Sequence, residues 1–447
     1  MRDVHRQAAR PAGPAAPRRF LPGHGEHLAA LGFFAALCAI VLSVPARLIE
    51  PDDLAYRASL YALRQGHLVL SNAQYQALNY QLRFIVIQGH VIGITQWDHL
   101  PDGSWISQKN PGYPFFVFPF FAAGLLRLAP LASAGAACVA LFCGARRWLG
   151  RWGGATAVGL FCSSGAAILF AWRPTMASMI DASLVGAGAG ALLWSILAGD
   201  APQRRRTAAG LVGFLALEAA VFVRYTDVVF LACAVLAVLA ARRSRLVSVP
   251  ARGPWWWLGS ALAFGIFLGW VNGALYGGPA RTGYSAGEAA FGVTAIGPNL
   301  KIMPVHLVTA MPVLFVALGG LTSIAAGYLR RRPADDAASR DLGIGWVLAL
   351  AWAALWGVYA AYEWTARFPQ GSTLQLVRFY LPAVAVMALL GARLLVRFPR
   401  TAALACVVAL FALGGCDCRP ARTRSRSSRP TVTARCPLAG RPPRVAG

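Results

Sequence analysis

The stretch LAALGFFAALCAIVLSVPA, residues 28–46, runs for nineteen residues without a charge. An α-helix of about 20 apolar residues crosses the hydrocarbon core of a bilayer, which is about 30 Å thick. Comparable blocks recur along the chain, and 57% of its 447 residues are hydrophobic while only 13% are charged. Soluble domains carry about 25% charged residues. The composition therefore excludes a soluble globular protein and predicts an all-α, polytopic transmembrane helix bundle.

Basic residues give the chain a formal net charge of +25. In a soluble protein this excess would suggest a nucleic-acid partner. Here the arginines lie mainly between the apolar blocks and at the two chain ends, as they do on the cytoplasmic side of membrane proteins. The charge therefore predicts contact with a lipid bilayer and no nucleic-acid partner. The nine cysteines lie mostly inside apolar blocks, where cysteine acts as a small buried hydrophobe, so no metal site is predicted.

The arginine clusters also orient the apolar blocks. Clusters predicted to be cytoplasmic are Arg146-Arg147 with Arg151, Arg204-Arg205-Arg206, Arg242-Arg243 with Arg245, Arg330-Arg331-Arg332, and Arg397 with Arg400. Helices that alternate consistently with this assignment are predicted, after the first block, near 129–146, 153–171, 179–198, 208–223, 226–241, 255–276, 304–328, 344–362, 379–396 and 401–415. They predict about 11 spans with the N-terminus inside. The proline-containing segment 113–128 would reverse the sidedness if it crossed as well, so we expect an interfacial or re-entrant helix.

The chain divides into three parts. Residues 1–27 are basic and rich in proline and alanine, which predicts a disordered cytoplasmic N-terminus. Residues 28–415 form the membrane domain, within which 47–128 is a long first extracytoplasmic loop with its interfacial helix. Residues 416–447 are rich in arginine, proline, serine and threonine and form either a disordered tail or an aberrant, out-of-frame one. The block at 28–46 is read as an uncleaved signal-anchor rather than a signal peptide, because its basic leader is long.

The first extracytoplasmic loop begins with an acidic motif, Glu50-Pro51-Asp52-Asp53. A carboxylate near apolar surface can have its pKa raised and act as a general base. The alternative is an ordinary acidic cap for the helix that starts near Leu54. Leucines then recur at near-helical spacing up to Leu68, which predicts amphipathic helices on the bilayer surface.

Three cations are predicted at the same external boundary: Lys109, Arg224 and Arg378. Charges near the ends of membrane helices require a partner or water. Lysine can simply extend its ammonium to the interface, and Arg224 can pair with Asp227, three residues away. Asp181 lies at the outer start of a predicted helix. The histidines and acid of the same loop, His90, His99 and Asp98, are more typical of a solvated loop than of a metal or acceptor site. Together, the acidic pair and the cations suit an anionic lipid headgroup that reacts with an acceptor.

The motifs resemble those of the GT-C glycosyltransferases, a superfamily that includes dolichyl-phosphate-mannose protein mannosyltransferases, bacterial aminoarabinose transferases and mycobacterial arabinofuranosyltransferases. The similar elements are Asp52-Asp53-Leu54-Ala55-Tyr56-Arg57 with Gly66-His67, Lys109-Asn110-Pro111-Gly112-Tyr113-Pro114, Asp181 with Arg224, and Arg378-Phe379-Tyr380-Leu381-Pro382. The resemblance covers residues 28–400. The family's usual Asp-Glu pair is Asp-Asp here, so the identity of the base stays open between the two.

The resemblance implies an inverting transfer of a sugar from a polyprenyl-phosphate donor to a glycan, lipid or protein acceptor outside the cell. It implies Asp52 or Asp53 as general base. Lys109, Arg224 and Arg378 would bind the donor phosphate, and Asp181, Tyr113 and Tyr380 would contact substrate, with no cofactor and no metal. We expect a multi-pass protein of the inner or plasma membrane. The alternative is a transporter or flippase, although such proteins tend to carry internal repeats and mid-bilayer polar residues, which the sequence does not show.

Overall fold

The computed structural model describes residues 24–45, 51–82, 86–87, 90–91, 93–243, 249–284, 290–330, 336–368 and 373–417. Glu50, most of the N-terminal segment and residues 418–447 of the predicted tail lie outside these ranges. The described chain is almost entirely helical. Its helices are α1 (Gly25–Ser43), α2 (Pro51–Arg64), α3 (Asn72–Leu82), α4 (Gly112–Ala122), α5 (Ala129–Leu149), α6 (Arg151–Cys162), α7 (Gly165–Ala171), α8 (Ser178–Leu197), α9 (Gln203–Val223), α10 (Val228–Arg243), α11 (Gly253–Tyr276), α12 (Ile296–Ala310), α13 (Val313–Arg330), α14 (Asp336–Ala360), α15 (Glu363–Arg367), α16 (Thr373–Val377), α17 (Val384–Leu395) and α18 (Arg400–Asp417).

The chain is a multi-span membrane protein. Seven helices within the described ranges are long and apolar enough to cross a bilayer, and up to nine spans result if each of two bent helix pairs counts as one. The two remaining segments of the predicted 11 fall on shorter apolar helices. The segments predicted at 379–396 and 401–415 are helical, but their apolar helices, Leu381–Leu395 and Arg400–Gly414, are shorter than the others.

Two helices predicted as continuous are broken. The segment predicted at 304–328 consists of α12 and α13, which meet at 107°, and the one predicted at 153–171 consists of α6 and α7, which meet at 64°. Pro312 explains the sharper bend, because it has no amide hydrogen to donate and disfavours a helical residue before it. Met311 accordingly has φ −134° and ψ 66°.

Small residues let the central helices pack closely. α5 and α8 meet at Gly190, where a Cβ atom would lie 2.3 Å from the carbonyl carbon of Ala140. Membrane helices without a hydrophobic driving force between them rely on such close backbone approach. The apolar core that results extends from α1 through α5, α6, α8 and α9 to α17.

The first loop is folded against the protein. Nine of the fourteen residues of α2 are buried, so this helix packs against protein on most of its surface. The helices of this loop are joined by short strands that the sequence did not predict: β1 (Val69–Leu70), β2 (Val86–Ile87), β3 (His90–Val91), β4 (Trp97–His99) and β5 (Trp105–Ser107). β5 pairs antiparallel with β1 and β4, and β2 pairs with β3. The ring of Tyr75 stacks on Trp105 at 4.0 Å and closes a separate small core.

Charged residues form pairs at two separate sets of helix ends. At the basic end, Arg151 binds Glu26 at 3.0 Å, Arg147 binds Asp200 at 2.7 Å and Arg393 binds Asp341 at 2.5 Å. At the opposite end, here called the site end, Arg127 donates to the carbonyl of Val44 at 2.6 Å. The residues predicted for function all lie at the site end.

Candidate active site

Asp52 and Asp53 occupy the first turn of α2, where the helix dipole favours acidic residues. Adjacent side chains on a helix point in different directions, so the two carboxylates meet different partners. Asp52 contacts two cations: Lys109 Nζ at 3.2 Å from Oδ1 and Arg378 Nη1 at 2.5 Å from Oδ2. The side chain of Asp52 keeps 10% of its surface exposed.

Asp53 is fully buried. It forms an ion pair with Arg173, which is also fully buried, and accepts a hydrogen bond from Thr175 Oγ1 at 2.7 Å. These contacts hold α2 against the turn between α7 and α8. Sequence reasoning missed Arg173 and Thr175. The signal was an arginine directly after the apolar run that ends at Trp172, since a charge so close to a membrane helix needs a partner.

Lys109 is fixed by the turn that precedes α4. Asn110 Nδ2 donates to the carbonyl of Val223 at 3.2 Å, which ties this turn to the end of α9. A Cβ atom on Gly112 would lie 2.4 Å from the carbonyl of Phe222, so only glycine fits there. Lys109 Nζ reaches Asp52 and also lies 3.4 Å from the hydroxyl of Tyr284. The predicted turn therefore points its lysine at the predicted acid.

Arg224 joins two further parts of the site. Its Nε lies 2.9 Å from Asp181 Oδ2, and its Nη1 donates to the backbone carbonyl of Arg378 at 2.9 Å. The sequence had left a local pair with Asp227 as the alternative. The ion pair that Arg224 forms is instead the one with Asp181. Arg224 thus links the start of α8 to the segment before α17.

Arg378 is held by aromatic rings. Its guanidinium carbon lies 4.7 Å from the ring centre of Phe379 and 5.3 Å from that of Trp364. Its Nε is buried and, among the described residues, has no hydrogen-bond partner. A buried unpaired donor costs free energy unless a ligand or water satisfies it. Arg378 therefore has a donor available beside Asp52.

Two tyrosines predicted to contact substrate lie outside this group of charges. Tyr113 is fully buried, and its hydroxyl donates to the carbonyl of Pro174. Tyr380 is 3% exposed and packs edge-on against Trp356 at 5.7 Å. Their burial in protein contacts favours a packing role for both rings over contact with a substrate.

The pKa of Asp52 depends on its burial and on the charged and polar groups around it. Burial raises the pKa of this carboxyl, but the positive charges of Arg378 and Lys109, with a hydrogen bond from Gln96, more than offset it and hold the pKa well below its usual value. Gln96 has φ +63°, an uncommon conformation for a residue other than glycine. Sequence reasoning missed Gln96, because nothing in the chain signals its backbone angle.

Among the described residues, no three His, Cys, Asp or Glu side chains come together in a way that could hold a metal ion. Both oxygens of Asp52 face cations, which a divalent ion would have to displace. Asp98 accepts a hydrogen bond from Gln108 Nε2 at 2.7 Å, and the ring of His99 packs 5.0 Å from Trp105. The side chain of His90 lies outside the described part of the chain.

The buried ionisable residues at the site end form one assembly, here called the charge cluster. It consists of Asp52, Asp53, Lys109, Arg173, Asp181, Arg224, Asp227 and Arg378. Its members come from six separate parts of the sequence and meet where helix ends converge. All five charged residues predicted from the sequence to act on the donor phosphate or the acceptor proton belong to it.

No protein-family profile and no curated protein sequence matches the chain. Solved structures do match. An oligosaccharyltransferase of Archaeoglobus fulgidus, crystallised with zinc and sulfate, aligns with a TM-score of 0.50 and 15% identity over 88% of this chain and 52% of its own. The oligosaccharyltransferase AglB from the same organism, bound to an inhibitory peptide and a dolichol-phosphate, gives a TM-score of 0.50 and 12% identity over 88% and 56%.

ArnT from Cupriavidus metallidurans, bound to undecaprenyl phosphate, aligns with a TM-score of 0.49 and 14% identity over 84% of this chain and 61% of its own. The chain therefore spans between half and two thirds of the length of these solved proteins. At such low identity the two oligosaccharyltransferase structures establish architecture alone. The chain has the fold of the GT-C glycosyltransferases.

Proposed function

We propose that the chain is a glycosyltransferase that moves a sugar from a polyprenyl-phosphate donor to an acceptor hydroxyl, with inversion, at the external surface of the membrane. The observation that carries this proposal is the position of Asp52 between Lys109 and Arg378. A carboxylate base in contact with two cations suits a reaction in which the acceptor hydroxyl loses a proton and the leaving phosphate gains negative charge.

The reaction needs one bond to form as another breaks. The acceptor oxygen attacks the anomeric carbon from the face opposite the phosphate and passes its proton to a carboxylate. The bond between the anomeric carbon and the phosphate oxygen breaks, and its electrons leave with the lipid phosphate. Cations placed where this charge develops lower the barrier by about 3 kcal/mol for each strong donor. Lys109 and Arg378 take this role. Arg224 joins them because it binds the backbone carbonyl of Arg378.

Asp52 is the better base of the acidic pair. Asp53 is fully buried, with Arg173 and Thr175 as partners, so it has no surface to offer an acceptor. Asp52 is partly exposed, but its two cations make it a weak base in the free protein. A donor phosphate that competes for these cations would leave the Asp52 carboxylate less neutralised, and its pKa would rise. Donor binding thereby prepares the base.

The partners follow from the same chemistry. The donor combines a phosphate with a polyprenyl chain that lies in the bilayer, and the acceptor is a glycan, lipid or protein hydroxyl. Arg378 Nε supplies a buried donor that a phosphate oxygen can accept from. We place the site end outside an inner or plasma membrane, because the arginine clusters gather at the other end. The donor set around Asp52 does not favour a metal ion.

The distribution of charge favours an enzyme over a transporter. Transporters place their binding groups near the bilayer midplane, often on broken helices. The charge cluster lies instead at one set of helix ends, beside the folded first loop. That position brings a membrane-embedded donor and a water-soluble acceptor to one place.

The test is transfer by purified protein supplied with polyprenyl-phosphate sugars and a panel of hydroxyl acceptors. We expect release of the free lipid phosphate, with Asp52→Asn inactive and Asp200→Asn, which removes a carboxylate at the basic end, active. Uptake of the intact donor into vesicles without bond cleavage would show a transporter. An active Asp52→Asn variant would remove Asp52 as the base.

A further inference from the structure

A cavity at the basic end, here called the basic-end cavity, has no part in the reaction proposed above. It has a volume of about 640 Å³ and lies between the start of α6, the end of α17 and the start of α18. Its lining combines two arginines with an indole, a hydroxyl and apolar side chains, including Arg151, Arg400, Trp152, Thr156, Leu395 and Leu404. None of the described residues that line it is acidic. Such a lining suits a ligand that carries negative charge next to an apolar part.

The basic side chains around this cavity are only partly neutralised. Glu26 accepts two hydrogen bonds from Arg151, at 3.0 Å from Nε and 3.1 Å from Nη2. Arg146 lies 3.6 Å from the same carboxylate. Arg400 forms no ion pair within the described ranges, and its guanidinium carbon lies 5.4 Å from the ring centre of Trp152. With one carboxylate for these three arginines, two positive charges remain in excess.

The depth of the cavity matches a lipid headgroup. The two arginines that line it are the first residues of α6 and α18, and Thr156 and Leu404 are the lining residues farthest along these helices. At 1.5 Å per residue, the separation is about 6–8 Å. One turn deeper the helices close on each other, since a Cβ atom on Gly159 would lie 2.7 Å from Val407 Cγ1. The headgroup layer on each side of a bilayer is about 5–8 Å thick, so the cavity has room for a headgroup but not for whole acyl chains.

We propose that the basic-end cavity binds the phosphate of an anionic glycerophospholipid from the surrounding bilayer. The phosphate lies between Arg151 and Arg400, where the positive ends of two helix dipoles add to the attraction. Leu395 and Leu404 contact the glycerol and the first carbons of the acyl chains. Basic pockets between membrane helices on the cytoplasmic side bind anionic headgroups in this way. The bound lipid bridges α6 and α18 and thereby stabilises the packing of α18. The inference does not rest on the proposed function, because the cavity and the charge cluster lie at different ends of the protein.

Binding of phosphatidylglycerol to the purified full chain in detergent micelles tests this site, with phosphatidylcholine as the neutral lipid for comparison. Each excess positive charge beside an anionic headgroup contributes about 1 kcal/mol, or about fivefold in affinity. We therefore expect wild type to prefer phosphatidylglycerol about 25-fold and Arg400→Gln to prefer it only about fivefold. Arg205→Gln removes an exposed arginine at the same end but outside the cavity, and should bind within about twofold of wild type. Native mass spectrometry of the lipid-titrated protein measures these affinities.

Leu404→Trp provides an independent variant, because it keeps both arginines and fills the cavity. It should weaken phosphatidylglycerol binding at least as much as Arg400→Gln does. Equal affinity of wild type for the two lipids, or equal losses in Arg400→Gln and Arg205→Gln, overturns the inference. Displacement of phosphatidylglycerol by millimolar inorganic phosphate would show a site for a soluble anion and overturn the assignment to a lipid. None of these measurements involves sugar transfer, so a failure of the proposed function is detected separately.

Discussion

The two ends of the bundle both carry ion pairs, but they differ in how much water reaches them. At the basic end each pair has a partner that is at least 35% exposed: Asp200 at 67%, Arg151 at 49% and Asp341 at 35%. Within the charge cluster at the site end the most exposed partner of any ion pair is Arg224, at 15%, and Asp53 with Arg173 is completely buried. The same residue types thus occupy two different dielectric environments.

This difference shows where charge is present for a reason other than solubility. An exposed ion pair contributes about 0–1 kcal/mol to stability, whereas removing ions from water costs several kcal/mol for each ion. The charge cluster buries four acidic and four basic side chains, so forming it costs the fold stability. Buried and mutually dependent charges of this kind are typical of sites that bind or transform a charged ligand.

The largest expected effect separates the two ends by activity. Asp52→Asn should lower the transfer rate by about 10³-fold, because it removes the general base and a partner of two cations. The same change at the basic end, Asp200→Asn, should leave the rate unchanged. Transfer assays on both variants, with equal thermal unfolding as the check on folding, measure the difference. Comparable losses in the two would mean that the two ends do not differ in function.

The next effect is on stability. Asp53→Asn leaves Arg173 charged and buried without its carboxylate, and breaking a buried pair from one side costs about 3–5 kcal/mol. Asp341→Asn removes the partner of Arg393, which keeps Ser323 Oγ at 2.7 Å as an acceptor. We expect a clearly larger loss for Asp53→Asn, measured by unfolding in detergent. A smaller loss there than in Asp341→Asn would contradict the structural role given to Asp53.

A third change sharpens the role of the cations. Arg378→Gln should lower kcat by about 100-fold, because it removes positive charge from the leaving phosphate. Arg378→Lys should recover only part of this loss, since lysine keeps the charge but not the planar group that lies over Phe379 and Trp364. A full recovery by lysine would show that the rings do not matter, and no loss in either variant would remove Arg378 from the site.

The smallest effect concerns pH. Burial alone would raise the pKa of Asp52, but Arg378 and Lys109 hold it below the ordinary value of 3.8. Its stabilising contribution is therefore complete above about pH 4 and is lost only as the pH falls through the lower folded-state pKa. We expect kcat/KM of wild type to show no acidic decline from this group between about pH 5 and about pH 8. Arg378→Gln should move that decline upward, into the measurable range.

Several features followed from the chain alone because they depend on local rules. The apolar blocks predicted helices, and the solved structures confirm the membrane fold. Motifs at the start of a helix, such as Asp52 in the first turn of α2 and Lys109 before α4, could be placed at one end of the bundle by counting spans. Hydropathy does not register the bend at Pro312, where one apolar block becomes two helices.

The sequence by itself determined the class of protein and the end of the bundle to which each charge belongs, because hydrophobic length and arginine placement act residue by residue. Only the tertiary structure decided which charge meets which. It paired Asp53 with Arg173 rather than with a substrate, and Arg224 with Asp181 rather than with its neighbour Asp227. The physical reason is burial. An ionisable group removed from water pairs with the opposite charge that is nearest in the folded structure, and the separation of two residues along the sequence does not give that distance.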